Sequence, residues 1–191
     1  MEAFSDGVLA IIITIMVLEM KVPHEANLAA LRPLVPVFLS YVLSFIYLGI
    51  YWNNHHHLLQ AVRRVNGRIL WANMHLLFWL SLVPFVTNWM GENHFAKLPV
   101  ALYGMVLLMA AIAYFILTRA LLSHHGNEST LAVALGRDFK GKISIVFYVA
   151  AIGLSFASSW LACAIYILVA VMWLIPDRRI EKTMESAPHS G

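Results

Sequence analysis

The chain has 191 residues, of which 61% are apolar and only 12% charged, with a mean hydropathy of +0.75. That composition excludes an ordinary soluble globular domain and marks a polytopic membrane protein, with no length left over for a separate soluble domain. The net charge of +3 and pI near 9.1 do not point to nucleic acid, because the basic residues flank apolar runs and no aromatic-basic interleaving offers bases a stacking platform.

Six apolar stretches follow one another along the chain: Phe4 to Met20, Leu34 to Trp52, Ile69 to Met90, Leu98 to Leu121, Ile143 to Ala157 and Trp160 to Ile175. Each approaches the roughly 20 residues a helix needs to cross the hydrocarbon. The expected fold is therefore all-α, one domain over residues 1–191 with six transmembrane helices. The tightest break is Phe156-Ala157-Ser158-Ser159-Trp160, which must act as a turn between two short spans; one long re-entrant hairpin is the alternative. The first span lacks a basic leader and a small-residue cleavage site, so it is expected to stay in the mature chain. Cys163 is the single cysteine, and disulfides are not expected.

Lysine and arginine set the orientation, because cytoplasmic loops carry the positive excess. One side holds Arg63, Arg64, Arg68, Arg119, Arg137, Lys140, Lys142, Arg178, Arg179 and Lys182; the other holds Lys21, Arg32 and Lys97. This bias places both termini in the cytoplasm, and the expected location is the cell's inner membrane.

The first helix opens on Phe4-Ser5-Asp6-Gly7 and continues Val8-Leu9-Ala10-Ile11. A carboxylate at a bilayer edge is costly and is a functional hypothesis by default. Ile11, Thr14, Ile15 and Leu18 fall at i, i+3, i+4 and i+7, on one face. Taken alone, such a face is ordinary lipid or core packing. Asp6 near the inner end and Glu19 near the outer end carry the sign that gathers cations at a mouth. Asp6 also suits the positive end of the helix dipole, and Glu19 can simply reach the interface.

Two further patterns stand out: Tyr51-Trp52-Asn53-Asn54-His55-His56-His57, and Leu70-Trp71-Ala72-Asn73-Met74-His75. Together with Phe4-Ser5-Asp6-Gly7 they resemble the first three helices of the prokaryotic members of the transmembrane protein 175 family, potassium-permeable channels. Spans four to six add little beyond hydropathy. The resemblance implies a homotetramer whose first helices line a central pore for potassium and other monovalent cations, with no cofactor and no enzymatic activity. Carried over by motif, the constriction falls on Ile11, the outer aliphatic positions on Ile15 and Leu18, and a selectivity threonine on Thr14. The family's arginine, four residues before the motif phenylalanine, would fall just ahead of Met1.

An isoleucine ring coordinates nothing; it closes a path by dewetting and favours the ion that sheds water more easily, here potassium over sodium. Thr14 has two readings: hydroxyl oxygens beside the constriction, or a hydroxyl returned to the Ala10 carbonyl. Depth matching predicts that Asn73 or His75 hydrogen bonds to Ser5 or Asp6 and fixes the first helix. Two other functions are kept in view. One is a proton-coupled transporter using Asp6 and His75. The other is a metalloenzyme on His55 to His57, disfavoured because consecutive residues diverge by about 100° around a helix and no carboxylate accompanies them.

Overall fold

A computed structural model describes residues 1–60, 65–125 and 139–174. Arg63, Arg64, Arg137, Ile175, Arg178, Arg179, Lys182 and the turn expected at Gly126-Asn127-Glu128-Ser129-Thr130 lie outside them.

The helices are α1 (Glu2–Leu18), α2 (Val35–Gln60), α3 (Gly67–Ser81), α4 (Val83–Glu92), α5 (Lys97–His125), α6 (Phe139–Ser155) and α7 (Ser159–Leu174), with a 3₁₀ segment at Leu28–Leu34 ahead of α2. Among the described residues there is no strand. Three stretches are long and apolar enough to cross a membrane, at Leu28–Gln60, Gly67–Glu92 and Lys97–Ser123. The other three rods, α1, α6 and α7, have 17, 17 and 16 residues, about 25 Å each. The six expected spans thus correspond to six rods, one of them broken.

Two boundaries differ from expectation. The second span does not end at Trp52: α2 runs on through His55, His56 and His57 to Gln60, so the histidine triplet is helical. The third span is interrupted at Leu82, whose amide reaches only three residues back to the Trp79 carbonyl. Pro84 stands in the first turn of α4, and its missing N–H and its ring forbid continuation of the α3 ladder. The break at Phe156–Ser158 is a tight turn between α6 and α7, closed by the Ser158 amide on the Leu154 carbonyl at 2.8 Å.

α5 is central, packing on α3, α4, α6 and α7, whereas α1 is peripheral and packs mainly on α2, α3 and α4. Between apolar helices in lipid, close packing and interhelical hydrogen bonds supply specificity that hydrophobicity cannot. Ser44 on α2 meets Thr87 on α4 at 2.6 Å and the Tyr103 hydroxyl on α5 at 3.0 Å. The Tyr47 hydroxyl donates to the Tyr166 carbonyl at 2.6 Å, and the Tyr166 hydroxyl to the Val100 carbonyl at 3.1 Å. Trp173 donates to Ser144 at 2.9 Å, joining α7 to α6.

At its C-terminal end α4 closes with a Schellman motif. The Phe95 amide reaches the Met90 carbonyl at 3.0 Å, the His94 amide the Gly91 carbonyl at 3.1 Å, and His94 and Phe95 take φ of 49° and 58°. Phe95 is buried and lies against Trp160, ring centroids 5.4 Å apart, which offsets the left-handed backbone.

Gly104 makes room for the Tyr166 ring of α7 against α5. A Cβ there would strike the Tyr166 hydroxyl and sit 2.7 Å from Tyr166 Cζ, whereas one on Gly153 would meet no atom within 4 Å. Gly104→Ala is therefore expected to cost about 1–3 kcal/mol through overpacking. The check is a lowered melting temperature of the purified protein, with Gly153→Ala left unchanged or raised.

Candidate functional site

α1 buries one face and leaves the other bare. Ser5, Leu9, Ile12 and Met16 are buried, at i, i+4, i+7 and i+11, the stripe that packs on α2, α3 and α4. Phe4, Gly7, Ala10, Ile11, Thr14, Ile15 and Leu18 are exposed, with Ile11 60% and Leu18 75% accessible. Such a continuous apolar strip on a rod already anchored on its other side has no partner among the described residues of its own subunit.

A polar chain sets this rotation. Asn73 on α3 donates through Nδ2 to Ser5 Oγ at 2.9 Å, and its Oδ1 meets His55 Nε2 on α2 at 2.7 Å. Since Oδ1 can only accept, His55 carries its proton on Nε2. Ser5 in turn donates to the Met1 carbonyl at 3.2 Å. Ser5, His55 and Asn73 are all at most 2% exposed, so the three helices are tied where water cannot compete. Asp6 projects beside this chain and accepts from the Trp52 indole at 3.0 Å.

The structure thus brings Ser5 and Asn73 together but not Asp6 and His75. His75 Nε2 accepts from Trp79 Nε1, one turn along its own helix, at 2.9 Å, so neither Asp6 nor His75 is turned towards the other as a proton relay requires. Thr14 donates to the Ala10 carbonyl at 2.8 Å, and its side chain lies on the exposed face. Glu19 is exposed at the C-terminal end of α1. It lines, with Ile11, Ile15, Phe85, Trp89 and Glu92, an open groove of about 530 Å³ between α1 and α4. Exposed Lys21 pairs with Glu92 at 2.9 Å. The hydrogen bond and charge of Glu92 raise the Lys21 pKa, a small effect in open solvent.

Two contacts escape a reading along one helix. Glu2 Oε1 lies 3.0 Å from His56 Nδ1, and the Trp52 indole, which stacks on the His56 ring within α2, donates across to Asp6. α1 and α2 run antiparallel here, so Glu2 and Asp6 on one meet Trp52 and His56 on the other. The signal in the sequence is two i, i+4 pairs at matching depth. The histidine triplet therefore does have carboxylates beside it, supplied by α1 rather than by its own helix.

The first 84 residues match the sequence profile of the family described as endosomal/lysosomal potassium channel TMEM175. A potassium channel of Chryseobacterium sp. (strain P1-3) is 59% identical over 97% of this chain and 96% of its own length. One of Streptomyces collinus is 30% identical over 90% of this chain and 89% of its own. The crystal structure of a lysosomal potassium-selective channel TMEM175 homologue from Chamaesiphon minutus is similar with a TM-score of 0.79 and 30% identity, covering 93% of this chain and 95% of that one.

Removing the Asn73 side chain strands two buried partners, whereas removing the Ser5 hydroxyl leaves Asn73 still bonded to His55. Asn73→Ala is expected to destabilise the purified protein by about 1–3 kcal/mol and Ser5→Ala by about 1 kcal/mol or less. The double variant should resemble Asn73→Ala alone in thermal unfolding; additive losses would mean that the two side chains are not coupled.

Proposed function

The chain belongs to the family of the endosomal/lysosomal potassium channel TMEM175, and on that premise we propose that it is a potassium-permeable channel in which four copies of α1 surround a central pore. The observation that carries this reading is the bare strip of Ile11, Thr14, Ile15 and Leu18 on a helix whose opposite face is pinned by Ser5. One subunit cannot enclose a path with one such helix, so the function needs an oligomer. The groove between α1 and α4 extends the uncovered surface available to neighbouring copies. The membrane is the cell's inner membrane, with both termini in the cytoplasm.

Ile11 forms the constriction, with Ile15 and Leu18 continuing the aliphatic lining outward. A ring of such side chains presents no oxygen to a cation, so it opposes passage by excluding water, and the ion with the weaker hydration shell crosses at lower cost. The chain has no Thr-Val-Gly-Tyr-Gly sequence from which to build a carbonyl filter. Thr14 lies one turn from Ala10 and sets a hydroxyl oxygen beside the constriction. Phe4, Ser5, Asp6 and Gly7 with Asn73 act indirectly by holding α1 in its rotation. His75 supports α3 through Trp79.

The relatives are named potassium channels, and the chain is not an enzyme. Ionic current is the decisive readout, because a transporter gives saturable coupled flux with no single-channel events. Purified protein in planar bilayers under opposed potassium and sodium gradients is expected to show a potassium-biased reversal potential. In Ile11→Asn the reversal potential should collapse towards zero while conductance rises roughly tenfold for each 1.4 kcal/mol of dewetting barrier removed. Unchanged selectivity in Ile11→Asn would move the filter elsewhere.

A further inference from the structure

We propose that Glu2, Asp6 and His56 form a binding site for a divalent transition-metal ion of the zinc type, joining the first turns of α1 to the inner end of α2. Their ligating atoms, one carboxylate oxygen each from Glu2 and Asp6 and a ring nitrogen of His56, all lie within 4.8 Å of one another. Ligands held at 2.0–2.2 Å around a tetrahedral ion are about 3.4 Å apart. Closing the set therefore needs an approach of about 1.4 Å or less between any two ligand atoms.

The site has features that a casual surface cluster lacks. The His56 Nδ1 atom is closed off from solvent. It stands 3.0 Å from Glu2 Oε1 yet makes no aligned hydrogen bond. The His56 side chain is 30% exposed, but this nitrogen faces inward onto the Glu2 carboxylate and has no aligned partner among the described residues. The far side of each inner ligand is already held from outside the set. Gln60 contacts His56 Nε2 at 2.8 Å, and the Trp52 indole donates to Asp6 Oδ1 at 3.0 Å. A partner on the second nitrogen is what orients a ligating imidazole.

Charge argues the same way. Two carboxylates four residues apart on one helix repel, and the helix N-terminus offsets only part of this. A dication neutralises both. One imidazole with two carboxylates selects a borderline ion over magnesium or calcium, which prefer all-oxygen sets, and water completes the fourth position. Binding does not depend on the channel reading. Its consequence does: the ion would tie the pore helix to α2 next to the Ser5–Asn73 bond and restrict its movement.

The test is equilibrium dialysis of zinc against the full-length purified protein. Wild type is expected to bind one zinc per subunit at this site. His56→Ala and Glu2→Gln should each lose at least tenfold in affinity for one ion per subunit. His57→Ala, which removes the exposed neighbouring imidazole, should lose none, and Gln60→Leu should lose roughly tenfold through the orienting contact. Absence of saturable binding to wild type, full binding in Glu2→Gln, or an equal loss in His57→Ala would overturn the site. Glu2→Gln changes an accessible side chain with little effect on folding, so it decides the matter even where His56→Ala fails to assemble. Zinc-dependent loss of potassium current that disappears in Glu2→Gln would add the functional consequence; current insensitive to zinc in a protein that binds it would overturn the clamp alone.

Discussion

The hydrogen-bond chain from His55 through Asn73 to Ser5 is the constraint on which the arrangement of the first helix depends. α1 is apolar nearly all round, so the hydrophobic effect gives it no preferred face in a bilayer, where lipid tails are as good a neighbour as leucine. What distinguishes one rotation from another is the placement of a few polar groups. Only the observed rotation buries Ser5 against a donor. A turn of one residue, about 100°, would carry Ser5 away from Asn73 and leave the Asn73 amide without its acceptor in a medium that offers no substitute. The outward direction of Ile11, Thr14, Ile15 and Leu18 is thus a consequence of where a serine finds an asparagine.

The rest of the subunit is built to be the stationary part. α2, α4, α5, α6 and α7 are cross-linked by hydroxyl and indole bonds that each span two helices, with Ser44 serving Thr87 and Tyr103 together. Tyr47 and Tyr166 link α2, α7 and α5, and Gly104 lets the Tyr166 ring approach backbone directly. α1 takes no part in this lattice. Its polar ties are confined to its first third, at Glu2, Ser5 and Asp6, while its second half carries only apolar side chains and the back-bonded Thr14. A rod held at one end and loose along the other can tilt about the tie. In the proposed channel that changes the bore most at Ile15 and Leu18 and least at the motif.

Much of this was legible from runs and periods. The six rods, the α6–α7 turn and the existence of a polar tie between α1 and α3 follow from hydropathy and depth. Azimuth was harder. Depth placed both Asn73 and His75 near Ser5 and Asp6, but residues two apart on a helix point about 200° away from each other, so only one could face α1; His75 faces Trp79 instead. The helical continuation to Gln60 was hidden because a histidine triplet interrupts the apolar run without interrupting the backbone hydrogen bonds. Pairings such as Trp52 with Asp6 and Glu2 with His56 belong to neither helix, and no periodicity within one element can report them.

The two readings of Thr14 turn out not to compete. Its hydroxyl hydrogen is committed to the Ala10 carbonyl at 2.8 Å, which satisfies the donor inside the helix as membrane threonines commonly do. A hydroxyl oxygen has two lone pairs, and donating its hydrogen inward leaves them turned away from the backbone. On an exposed face next to Ile11, that is the orientation a cation needs, with no donor proton in the way. Donation to the backbone also holds the side chain in one rotamer, so oxygens contributed by several copies would be presented without a further cost of ordering. The local bond that makes Thr14 look like a residue satisfied by its own helix is therefore what would prepare its oxygen for an ion. In the proposed pore, the isoleucine next to it would remove water and the threonine would supply the oxygen that partly replaces it.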